Sequence, residues 1–215
     1  MNFGTLAGND YINSRIHELL GKIHPEDVRS FVRKFRSCSD EECFHTYREL
    51  ILGAHVRSGG WNLRYEQSLA GKRPDWVLID DSGRVAEIID VVTLHQRRVI
   101  DIDIVKTVSS RALWTGWVST PPNRLFSKFR KKAKAYASLA DELLLPYVVA
   151  LFGEFTAPLE PQEVRQVLHE LHGGVFAEVP TVAGAIFFRE RLGDYEYHHF
   201  TNPRAKVHSQ IIGGS

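Results

Sequence analysis

The chain predicts an α/β fold: a mixed central sheet flanked by helices, with a helical extension at its N-terminus. Three features of its 215 residues lead there. The first 56 residues carry helical signals, residues 61–94 read as three strands, and the remainder alternates helix, strand, helix, strand, strand.

Residues 9–22 form one candidate helix. Pro25 starts a second, PEDVRSFVRKFR, acidic in its first turn and basic in its last, as the helix dipole favours. Ser39, with Glu42 three residues on, reads as a capping box for a helix over about 40–56. Ser58-Gly59-Gly60 stops it. WNLRYEQ and RPDWVLID then read as strands, Asp81-Ser82-Gly83 as a turn, and RVAEIIDVVTL as a strand rich in β-branched residues. Residues 97–120 fit short helices and an insertion equally well. Pro121-Pro122 precede a strong helix, NRLFSKFRKKAKAYASLADELL, which Pro146 ends. PYVVALFG follows as a buried strand, and PQEVRQVLHELHGG as a helix closed by glycines. VAGAIFFRER and YEYHHFTN read as a hairpin around Gly193-Asp194. This order divides the chain into an extension, 1–40, and one compact unit, 41–215.

Composition bounds the function. Hydrophobic residues are 43% and charged residues 25%, as in ordinary soluble proteins. The net charge of +1 excludes a globally basic nucleic-acid coat but not a local patch. Cys38 and Cys43 match no zinc spacing and set no disulfide framework, so a cytoplasmic location is expected. MNFGTLAGNDYINSR lacks a secretory pattern. The most apolar run, LLLPYVVALFG, is broken by Pro146 and falls short of the roughly 20 residues of a membrane span.

The unusual stretch is KRPDWVLIDDSGRVAEIIDVVTL, which puts Asp75, Glu87 and Asp90 on or beside strands that should be apolar. Carboxylates are costly to bury alone, but a hard cation such as Mg²⁺ satisfies them. A symmetric turn at Asp81-Ser82 sets Asp90 on the face of Asp75; a three-residue loop with Gly83 in the left-handed region sets Glu87 there instead. Periodicity does not choose between them. A turn residue, a solvated edge residue and an ion-pair partner would also account for the three acids.

The arrangement resembles the PD-(D/E)xK nuclease superfamily, the restriction-endonuclease-like fold. The resemblance runs through FHTYRELILGAHVRSGGWNLRYE, KRPDWVLIDDSGRV, EIIDVVTL and FRKKAKAYASLADELLLPYVVALFG, roughly residues 41–155. It implies a restriction-endonuclease-like mixed sheet and a Mg²⁺-dependent endonuclease, with Mn²⁺ as a substitute ion. Asp75 matches the Asp of the Pro-Asp pair, Asp90 the second-strand acid with Glu87 as its alternate, and Glu49 the helix glutamate, all as metal ligands. The expected partner is DNA ahead of RNA, with no membrane, and a homodimer is allowed. The alternative is a catalytically inactive module of this fold that binds nucleic acid or a protein.

The resemblance departs at one residue. The family places a lysine two residues after the second acid, where this chain has Val92 after Asp90 and Ile89 after Glu87. Lys132 is the replacement candidate. It falls within the apolar stripe Leu125, Phe129, Tyr136, Ala140 and Leu143, where an ammonium must either snorkel to water or meet acids. Lys128, Arg130, Lys131 and Lys134 on the same helix are then candidate phosphate contacts. Histidines offer less: HELH at 169–172 is not HExxH, and His198 and His199 point to opposite faces of a strand. Trp61, Trp114 and Trp117 suit either base stacking or packing.

Overall fold

The computed structural model describes residues 10–37, 40–94, 122–153, 159–170, 173–191 and 194–213. The unassigned stretch 97–120, with Trp114 and Trp117, lies outside the described residues, as does His172.

Three helices come first: α1 (Asp10–Leu20), α2 (Pro25–Ser37) and α3 (Asp40–Ser58). Strands β1 (Leu63–Tyr65), β2 (Trp76–Ile79) and β3 (Val85–Leu94) follow, then α4 (Pro122–Leu143) and β4 (Tyr147–Gly153). The chain continues through α5 (Pro161–His169), α6 (Val175–Glu178), β5 (Val182–Arg191), β6 (Asp194–Thr201) and α7 (Gln210–Gly213). The six strands form one mixed sheet in chain order. β1, β2 and β3 are antiparallel, β3, β4 and β5 parallel, and β6 antiparallel to β5. The α/β class with a mixed sheet, flanking helices and an N-terminal helical region is therefore observed.

Two cores sandwich the sheet. On one face α1, α2 and α3 bury Ile12, Ile16, Phe31, Phe35 and Leu50 against Trp76, Ile89 and Val148. On the other, α4, α5 and α6 bury Leu125, Phe129, Val164 and Phe176 against Ile88, Val149 and Phe187. β4 is buried along its whole length because both faces are covered, which explains its unbroken apolar run.

Several boundaries differ from expectation. β1 keeps only three residues because Glu66 takes a positive φ of 46°, which no strand accommodates. The helix after Pro161 ends at His169, and a separate single turn, α6, follows the glycines. The short helix α7 had no periodic signal. Cys43 is buried and disulfide-bonded, where the sequence had offered no disulfide framework. Among the described residues no helix is long and apolar enough to cross a membrane.

Candidate active site

The β2–β3 hairpin decides which acids meet. Its loop is Asp81-Ser82-Gly83: Asp80 N donates to Arg84 O at 2.9 Å, and Gly83 adopts φ 80°. The Asp80 carboxylate secures this loop by accepting from Ser82 N, Ser82 Oγ and Arg84 N. Beside the loop Ile79 pairs with Val85, a register that would carry Glu87 onto the face of Asp75. One step further the register shifts. Leu78 pairs with Glu87, leaving Ala86 as the extra residue of a β-bulge, and Trp76 pairs with Ile89. The next step brings Asp75 opposite Asp90.

Those two acids lock together. Asp75 N donates to Asp90 Oδ1 at 3.1 Å, and Val91 N donates to Asp75 Oδ2 at 2.6 Å. Asp90 is fully buried. Burial, and then the charge of Asp75, push its carboxyl up to about 7 against the pull of Lys132.

Lys132 lies on the inward side of α4 beside buried Phe129 and Ala133. Its Nζ is 3.3 Å from Asp75 Oδ2 and 3.3 Å from Asp90 Oδ1. Burial works against its charge, but the two acids outweigh it and hold the ammonium above the usual lysine value. Tyr147, the first residue of β4, completes the cluster. Its OH donates to Asp90 Oδ2 at 3.0 Å and has Lys132 O as a second acceptor at 3.0 Å.

Glu87 points into the opposite layer. It is fully buried and accepts hydrogen bonds from Ser209 Oγ at 2.6 Å and Gln210 N at 3.1 Å, where α7 begins. Ser209 in turn caps that turn by accepting from Ile212 N. Burial pushes Glu87 up to about 7 despite these donors. The structure does not bring Glu87 to Asp75.

Glu49 reaches the cluster from α3. Trp76 Nε1 donates to Glu49 O at 3.0 Å and so anchors α3 to β2. Gly53 permits that approach, since a Cβ there would sit 2.0 Å from the Trp76 ring. The Glu49 carboxylate accepts a short hydrogen bond from Tyr65 OH. Tyr65 OH accepts from Lys34 Nζ at 2.6 Å, and Lys34 also pairs with Glu66 at 2.7 Å. Glu66 N donates to Asp75 O at 3.1 Å, tying this group to the first. Burial, and then Asp75, push Glu49 up to about 7. A cavity of about 370 Å³ lined by Lys34, Ser37, His45, Thr46 and Glu49 opens beside it.

Lys34, Tyr65, Glu66 and Tyr147 were not singled out in the sequence. Lys34 looked like a dipole-compensating cation in the last turn of α2, and Tyr147 like one more core residue of β4. Of the four basic residues expected to face phosphate, two are engaged within the fold. Lys128 donates to Thr93 O at 2.9 Å, and Arg130 pairs with Glu178 at 2.8 Å. Lys131 and Lys134 are exposed. His169 packs edge-on against Phe176, and Trp61 packs against the first core.

Four carboxylates, Asp75, Asp90, Glu49 and Glu66, thus meet two ammonium groups, Lys132 and Lys34. That excess of negative charge suits a divalent cation, and Mg²⁺ needs only one or two protein carboxylates plus water. Asp75 and Asp90 fit that requirement. The three-acid ligand set that the resemblance implied is not assembled: among the described residues no group of three or more His, Cys, Asp or Glu is arranged to hold a metal.

No protein-family model and no curated protein matches the chain. Among solved structures it is similar to SfsA of Pyrococcus furiosus, determined in complex with Ca²⁺, at 13% identity and a TM-score of 0.34. The similarity covers 74% of this chain and 62% of that one, so the chain spans less than two thirds of SfsA. A likeness this distant decides neither the family nor the activity.

Proposed function

We propose that this protein is a metal-dependent nuclease that hydrolyses phosphodiester bonds in DNA ahead of RNA. One observation carries the reading. Two acids face each other across a hairpin, and a lysine from a separate helix stands 3.3 Å from both, on a chain that lacks a lysine two residues after either strand acid. The resemblance to PD-(D/E)xK nucleases supplies the reaction class.

Asp75 and Asp90 would hold the ion. A bound Mg²⁺ supplies a more acidic water and neutralises charge on the phosphate. Lys132 stays protonated beside the two acids, so it is an orienting group and not the base. Its Nζ–H bonds position the attacking water and stabilise charge on the phosphoryl oxygens. Tyr147 holds Asp90 in place from behind, and Glu49 and Glu66 add negative charge around the site. The attacking water oxygen bonds to phosphorus and gives up a proton to solvent, the bond from phosphorus to the leaving sugar oxygen breaks, and that oxygen takes up a proton from solvent.

The test is cleavage of plasmid and single-stranded DNA and RNA with Mg²⁺ or Mn²⁺, alongside calorimetric ion titration. Wild-type protein should bind the ion and cut. Asp75→Ala should do neither, and Lys132→Ala should bind but not cut. Failure of the wild type to cut any substrate with Mn²⁺ sinks the enzymatic reading. The inactive binding module would then stand. It draws support from Lys132, which already bridges both acids.

A further inference from the structure

A second cavity lies across the sheet from the acids and is unused by the proposed chemistry. It measures about 540 Å³ and straddles β6, lined by His55, Gln162, Arg165, Tyr197, His199 and Phe200 among others. β6 ends the described sheet, so one side of its backbone has no strand partner there. Successive side chains alternate between faces. Tyr197 and His199 meet α3, whereas Phe200 meets α5.

The lining contrasts with the acid cluster. Among the described residues its lining holds no carboxylate and one permanently charged group, Arg165, whose guanidinium lies 5.6 Å over the Phe200 ring. Burial, and then His199, push His55 down to about 4. Burial, and then His198, lower His199 as well. These imidazoles are therefore uncharged at neutral pH and act as flat rings with hydrogen-bonding edges. The His55 ring lies parallel to Tyr197 at 3.3 Å and 4°. Tyr197 in turn lies parallel to Phe188 at 5.7 Å and 8°. The result is a stacked aromatic wall, held from behind by the core, with a guanidinium and the Gln162 amide beside it. A planar ring that carries an anionic group is complementary to that combination. A ring without the anion leaves Arg165 unused, and an anion without the ring leaves the aromatic wall unused.

We propose that this groove is a nucleotide subsite that takes one base and its phosphate from a single-stranded nucleic acid. The base stacks on this wall at His55 and His199, with Tyr197 already packed between His55 and Phe188, and Arg165 pairs with the phosphate. The choice of a polymer rests on the nuclease reading; the groove chemistry does not. Asp90, Val149, Ala185 and Phe200 form one row across the sheet, so the subsite stands three strand spacings from Asp90. That is about 14 Å at the usual inter-strand distance.

Fluorescence anisotropy of a short labelled oligothymidylate, read in EDTA so that nothing is cleaved, tests this directly. Arg165→Ala and His199→Ala should each weaken binding about tenfold or more. Arg165→Glu should weaken it further, with thermal unfolding confirming that each variant is folded. Unchanged affinity in both Arg165→Glu and His199→Ala overturns the subsite. Displacement of the oligonucleotide by inorganic phosphate as readily as by AMP overturns the stacking half. Displacement by AMP at the same nucleotide concentration as unlabelled oligothymidylate overturns the choice of a polymer. The nuclease reading fails separately, by absence of Mn²⁺-dependent cleavage in wild-type protein whose anisotropy signal is intact.

Discussion

Asp90 and Glu87 sit three residues apart on one strand, both fully buried and both pushed up to about 7, yet they do different things. Asp90 faces Lys132, Tyr147 and a second acid. Glu87 faces a hydroxyl and the first N–H groups of a one-turn helix. Burial is the largest cause of the shift in both. What separates them is the next cause. For Asp90 it is a like charge that an added cation relieves; Glu87 has hydrogen-bond donors only. A raised carboxyl is therefore not in itself the mark of a reactive site, and the company it keeps decides.

The largest expected effect breaks the pair apart. Asp90→Ala should reduce Mn²⁺-dependent cleavage to background and remove the calorimetric ion signal, whereas Glu87→Ala should retain both. The reverse result in a cleavage assay would mean that the reactive acid lies on the α7 side.

Next comes stability against pH. Glu87 binds its proton more tightly in the folded chain than in the unfolded chain, from an ordinary value of 4.5 up to about 7. Its contribution is thus fully present below about pH 4.5 and is lost as pH rises through about 7. The loss amounts to about 3 kcal/mol at roughly 1.4 kcal/mol per unit. Glu87→Gln, which mimics the protonated form, should match wild type at pH 4.5 and exceed it at pH 8 in urea unfolding. A constant difference between the two proteins across that range contradicts the assignment.

A smaller effect sharpens the Asp90 side. Tyr147→Phe removes the donor to Asp90 Oδ2 and should cost about 1–3 kcal/mol in thermal unfolding. Ion affinity should fall about 10–100-fold, as for other groups that orient a metal ligand. Equal ion affinity in wild type and variant would leave Tyr147 with packing alone. The smallest effect is that of Arg130→Ala. It breaks an exposed pair with Glu178 and should change stability by less than about 1 kcal/mol, measured in the same denaturant titration.

Local signals were legible wherever the chain's own periodicity or turn chemistry acts. The Pro25 start of α2 and the apolar run of β4 were readable and are observed, and of the two hairpin loops left open the three-residue one with Gly83 at positive φ is found. Lys132 stood out because an ammonium does not belong in an apolar stripe, and its Nζ lies between two acids. Less legible were groups whose role depends on a distant neighbour. Lys34 matters through Tyr65 and Glu66, and Glu87 through Ser209, which is 122 residues away. No periodicity encodes such pairs.

By itself, then, the sequence determined the order of the long helices and the strands and which acids and lysines were available to meet, and it left the hairpin loop open between two forms. Only the tertiary structure decided which acid faces Asp75. The loop register points to Glu87, and the bulge at Ala86 reverses it, because one extra residue inverts every later side chain of a strand with a period of two. β3 lies between two cores and beside β4, in contacts from across the molecule that no short stretch of chain contains.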